Sequence, residues 1–86
     1  MKAIIFGQIL KELRTQAALS QEGLAHDSGL DRTYISLLER GLRQPSIETL
    51  FKLASSLHLS AASFIGKVEE RLLNCNTKPD EDYRVP

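Results

Sequence analysis

Cysteine occurs once in the 86 residues, at position 75, so no internal disulfide framework is available. A lone thiol near the end of a chain reads as incidental. No apolar run approaches the roughly 18 residues that a membrane span requires. The opening MKAIIFGQILKELR passes from apolar to charged without a signal-peptide cleavage pattern. The expectation is a cytoplasmic protein with no membrane partner. Net charge is lacking as well: 11 basic and 11 acidic side chains cancel, which argues against a strong nonspecific hold on nucleic acid. No alternating run is long enough to suggest a sheet, and neither an internal repeat nor a low-complexity domain is present. His26 and His58 lack a ligand-forming spacing with Cys75 or with carboxylates, so no metal and no cofactor is expected. Ser20, Ser28 and His26 form no nucleophile-base-orienter series. A chain this short has room for one core and little for a concave catalytic pocket, so an enzyme is not expected.

What the chain does contain is helical periodicity. It predicts helices over about 4–17, 21–28, 32–40, 47–57 and 61–73, hence an all-α fold. The first carries Ile5, Phe6, Ile9, Leu10 and Leu13 on one side. The fourth places Ile47, Leu50, Phe51, Ala54 and Leu57 on the helical period, and the fifth Ala61, Phe64, Ile65, Val68 and Leu72. Local punctuation agrees: Ser20 and Asp31 are placed to cap, Gly29 and Gly41 to terminate, and Pro45-Ser46 and Ser60 to open the last two helices. From Asn74 the sequence NCNTKPDEDYRVP is polar and acidic, with Pro79 and Pro86 and too little apolar material for a core. The expected organisation is one domain over 1–73 and a flexible acidic tail over 74–86.

The stretch GLDRTYISLLERG, residues 29–41, mixes two kinds of surface. At about 100° per residue, Ile35, Leu38 and Glu39 fall on one side of a helix. Thr33, Ser36, Leu37 and Arg40 occupy the other, with Arg32 at the flank in the first turn. Positive charge gathers here: residues 32–43 hold Arg32, Arg40 and Arg43 against Glu39, whereas 80–82 are all acidic. With the preceding segment, SQEGLAHDSGLDRTYISLLERG has the form of two short helices joined by a glycine-containing turn. Leu24, Ala25, Leu30, Ile35 and Leu38 would close the angle between them. The polar face is then free to enter a major groove, whose width of about 12 Å accepts one helix.

From about Phe6 to Phe64 the chain resembles the phage-repressor and Cro-type, or XRE-type, helix-turn-helix family. The likeness is carried by LSQEGLA, the turn SGL, DRTYISLLERG and the following RQPSIETLFKLASSL. LDRTYISLLER is also similar to the small controller proteins of restriction-modification systems. The resemblance implies a compact five-helix repressor-like DNA-binding domain containing a helix-turn-helix. It implies a sequence-specific regulator of transcription that binds double-stranded DNA, recognising a palindromic operator as a homodimer. Arg32, Thr33 and Ser36 would face base edges and Leu37 a thymine methyl, while Gln21, Tyr34 and Arg43 would hold phosphates. Arg14 and Glu39 match positions that form a buried structural pair. The apolar face of the fifth helix either seals the core or meets a second copy through Phe64, Ile65, Val68 and Leu72. The alternative function is a protein-interaction module, such as an antitoxin or accessory subunit. No separate domain for a small-molecule effector is evident. Three departures from the family pattern stand out: Ala17-Ala18 replaces a turn glycine, Gly23 stands where Glu would complete a capping box for Ser20, and His58 occupies a helix end where Gly is usual.

Overall fold

Five helices make up the computed structural model, which describes residues 2–75: α1 (Lys2–Gln16), α2 (Gln21–Ser28), α3 (Arg32–Glu39), α4 (Ile47–Ser56) and α5 (Ala61–Cys75). The caps form where side-chain oxygens are available. Ser20 accepts the Gly23 N–H at 2.9 Å. Asp31 accepts the Thr33 N–H at 3.0 Å, and Ser46 the Thr49 N–H at 3.1 Å. Each satisfies one of the amides that a helix start leaves without an internal partner.

The first four helices end by a shared device. Leu19, Leu30, Leu42 and Leu59 each donate a backbone N–H to the carbonyl five residues earlier, on Arg14, Ala25, Leu37 and Ala54. The residue before each leucine is left-handed: Ala18 (φ 59°), Gly29 (73°), Gly41 (75°) and His58 (61°). This is the closure in which a hydrophobe follows a left-handed residue and packs back on the helix end. Leu19, Leu30 and Leu59 do pack against the core, whereas Leu42 is 60% exposed. Ala18 and His58 thus fill two glycine positions without being glycine.

The core lies where α1 packs on α3 and α5, α2 on α3 and α4, and α4 on α5. Leu10, Leu24, Ile35, Leu38, Leu53 and Phe64 are fully enclosed. Phe6 stacks on Phe64, with centroids 5.0 Å apart and planes 14° from parallel, which joins α1 to α5. A bidentate Arg71–Glu12 pair at 2.7 and 2.8 Å ties the same two helices at the surface. Those hydrogen bonds hold the Glu12 carboxyl below its ordinary pKa, against a small opposing effect of burial.

Three expectations are corrected here. Phe64, Val68 and Leu72, which the sequence left open between the core and an interface to a second copy, face the chain's own core, so the interface reading of these three is the one corrected; of that set only Ile65 is exposed. Packing of α5 on α1 consumes the stripe, so the far half of α5 does not project past the core. On α4 the inward stripe is Leu50, Leu53, Ala54 and Leu57, and Ile47 and Phe51 are turned out, 71% and 59% exposed. Finally, α5 runs through Asn74 to Cys75, with no helix breaker before Pro79. The acidic run 80–82 and the rest of the expected tail lie outside the described residues.

Candidate nucleic-acid interface

The wheel of α3 divides in the structure as its sequence divides. Ile35 and Leu38 are fully buried, Arg32, Thr33 and Arg40 are exposed, and Ser36 and Leu37 are half-buried on the outer side. Asp31 fixes the start of this helix and the left-handed Gly41 its end, so the outer face spans little more than two turns. Gly7 of α1 supports it from behind. A methyl group at Gly7 would lie 2.6 Å from the Glu39 carbonyl oxygen and closer still to that of Leu38, so the α1–α3 crossing depends on a bare Cα.

Glu39 anchors the far end. Its side chain is 3% exposed and accepts Arg14 Nε at 2.6 Å and Nη2 at 3.2 Å. Arg14 Nη1 also donates to the Leu19 carbonyl at 2.8 Å. Gln21 Nε2 adds a third donor to Glu39, at 3.0 Å. One carboxylate therefore links α1, the α1–α2 turn, the first residue of α2 and the last of α3. A buried charge so compensated is costly to uncover, which makes the set a fastener for α3. Gln21, assigned to phosphate, is half-buried and spends one amide proton on this fastener, with its second proton left over.

Tyr34 is likewise attached. It packs against the core, and its hydroxyl lies 3.3 Å from Thr49 Oγ1 on α4. Arg43 is exposed in the loop between α3 and α4. Arg32, Arg40 and Arg43 have no ion-pair partner among the described residues, so α3 and the segment after it carry three guanidiniums without a paired carboxylate. Sequence reasoning placed Arg40 on the outer face without a role, and missed both Gly7 and the Tyr34–Thr49 contact. The spacing of Ser46 and Thr49 signals a cap, but nothing local in the sequence joins residues 15 positions apart.

A second exposed region is apolar. A groove of about 290 Å³ runs between the start of α1, Pro45 and α5, with Phe6, Ile65, Val68 and Leu72 and the charged Lys2 and Glu69 among its lining. Ile65 borders it at 43% exposure, and Ile47 lies two residues beyond Pro45. Among the described residues, no helix is long and apolar enough to cross a membrane.

Residues 10–64 match the helix-turn-helix family model. The controller protein C.AhdI of Aeromonas hydrophila, a solved structure, is 47% identical and superposes with a TM-score of 0.70, over 72% of this chain and 94% of that one. The controller protein C.Esp1396I, solved as a tetramer in complex with its natural 35 base-pair operator, is 32% identical with a TM-score of 0.78, over 85% of this chain and 96% of that one. Control protein C.MunI of Mycoplasma sp is 38% identical over 68 residues, 78% of this chain and 92% of that protein.

Proposed function

The chain belongs to the helix-turn-helix family, and on that premise we propose that it is a DNA-binding transcriptional regulator that reads a palindromic operator as a homodimer. The observation that carries this function is the outer face of α3: Arg32, Thr33 and Arg40 exposed and Ser36 and Leu37 half-buried, with Arg43 exposed in the next loop and none of the three arginines ion-paired among the described residues, on a helix whose Ile35 and Leu38 are fully buried. Arg32 is the residue suited to a bidentate pair with guanine, and Thr33 and Ser36 to single hydrogen bonds with base edges. Leu37, half-buried on the same face, offers a methyl contact to thymine. Arg43, and Gln21 through its second amide proton, fit phosphates and so set the docking angle.

A dimer resolves the objection from net charge, because two copies double the phosphate contacts of a formally neutral chain. Twofold symmetry would set two α3 helices about one DNA turn apart, roughly 34 Å, and predicts a two-part site. Ile47, Phe51 and Ile65, exposed on α4 and α5 and outside α3, offer a surface for pairing. The solved operator complex of a tetrameric relative supports both DNA as ligand and self-association.

Selection from random duplex DNA tests this directly. The expected outcome is a palindromic consensus whose affinity falls steeply with salt. Arg32→Ala should relax preference at particular base pairs, weakening the preferred site by about 1–3 kcal/mol for each bidentate pair removed, whereas Arg43→Ala should weaken all sites alike. Equal, sequence-independent losses from both would sink the division into readers and clamps.

A further inference from the structure

Phosphate oxygens only accept hydrogen bonds, so a tyrosine that holds one must have its proton free. In this chain the Tyr34 hydroxyl is already shared with Thr49, and the direction of that bond decides what Tyr34 can offer. Three further facts bear on the direction. The Thr49 N–H donates to Ser46 Oγ at 3.1 Å. The Ser46 hydroxyl in turn donates to Thr49 Oγ1 at 3.0 Å. Thr49 itself is 7% exposed, which limits water as an alternative partner for its hydroxyl.

A threonine hydroxyl has one proton to give. With the Ser46 proton arriving at Thr49 Oγ1, the Thr49 proton has the Tyr34 oxygen as its neighbour. We infer that Ser46, Thr49 and Tyr34 form a polarised hydroxyl relay from the cap of α4 to the recognition helix, with Thr49 a positioning residue that leaves the Tyr34 proton pointing out to a DNA phosphate. Each bond in such a series strengthens the next, so the phenol is a better donor than one standing alone. The opposite polarity, with Tyr34 donating to Thr49, would present only lone pairs to a phosphate and repel it. The relay also explains why a polar threonine sits at a buried position of α4: it sits between two other hydroxyls.

The inference rests on the DNA-binding function proposed above, and the experiment separates the two. Binding of the duplex selected by the wild-type chain is measured for Thr49→Val, Thr49→Ser, Tyr34→Phe and the Thr49→Val/Tyr34→Phe double variant, with Thr49→Ala as a second hydroxyl-free form. Tyr34→Phe should weaken binding by about two- to tenfold, the range of one neutral hydrogen bond, and Thr49→Val by a smaller factor, because the phenol it leaves standing alone still donates but more weakly. The double variant should lose no more than Tyr34→Phe alone. Thr49→Ser should bind as wild type, and this rescue is a result that a volume effect at Thr49 would not give. If Thr49→Val fails to fold, Thr49→Ala takes its place in the cycle. Wild-type affinity in the hydroxyl-free forms, or losses that multiply in the double variant, would overturn the relay while leaving DNA binding intact. A wild-type chain that enriches no duplex would overturn the DNA-binding function and the relay with it.

Discussion

Ala18 and His58 hold left-handed backbone at φ 59° and 61°, a conformation in which Cβ crowds the following carbonyl and costs about 1–2 kcal/mol. Glycine escapes that cost but loses about 0.5–1 kcal/mol more chain entropy on folding. Ala18→Gly and His58→Gly are each therefore expected to stabilise the fold by about 0.5–1 kcal/mol, read as a higher urea midpoint at unchanged slope. A lower midpoint would mean that these turns are held by something other than the leucine closure. Gly7 behaves in the opposite way. The obstacle to a Cβ there is the backbone of Leu38 and Glu39, which cannot rotate aside. Gly7→Ala should cost about 2–3 kcal/mol, at the upper end of overpacking, and should disturb the seating of α3 as well. The sequence made the first two positions visible, since Ala17-Ala18 and His58 stand where a helix-ending glycine belongs. Gly7 was not visible, because a glycine inside an amphipathic helix has no local signature of what crosses it.

At the scale of helices, the α1–α5 contact joins a buried aromatic stack to an exposed ion pair, and acid should separate the two. Arg71 depresses the Glu12 pKa in the folded chain. The stability this gives is complete above the ordinary glutamate value of about 4.3 and is lost as pH falls through the lowered folded value. Unfolding of wild type and Glu12→Gln should therefore converge as pH is taken from about 6 to about 3, and high salt should narrow the gap at neutral pH. The effect is small because both side chains are partly exposed, at 33% and 48%. A gap that widened toward acid would contradict the sign. Helix limits were legible because caps and terminators are local chemistry, and all five helices start and end within two residues of the expected positions. Helix facing was less so. Periodicity gave α4 a stripe broad enough to include Ile47 and Phe51, and gave α5 a stripe that served equally for a core or a partner. Only the crossing of α1 over α5 decides that Phe64, Val68 and Leu72 are interior. The outward face of α3 was readable for the converse reason: its polar residues exclude it from any core.

For the molecule as a whole, the exposed apolar residues have to be reconciled with a chain whose formal net charge is zero and so supplies little repulsion between copies. Ile47, Phe51 and Ile65 lie on α4 and α5, where a second copy can cover them without blocking α3. Ile65→Asp and Phe51→Asp should leave the monomer folded, because neither side chain contributes to the enclosed core, but should shift sedimentation toward a single copy. Phe64→Asp is the contrasting variant, expected to unfold the chain since Phe64 is fully enclosed against Phe6. A lone chain engages one half of a two-part site, so operator affinity in the two exposed variants should drop by well over about tenfold. Their remaining binding should show roughly half the wild-type salt slope, since a single copy reaches only half the phosphates. Raising protein concentration should restore part of the affinity if pairing is weakened, and none if the variants damage α3 itself. Variants that sediment as wild type would place the self-association surface elsewhere, with the patch of Ile4 and Leu42, 48% and 60% exposed, the next to substitute.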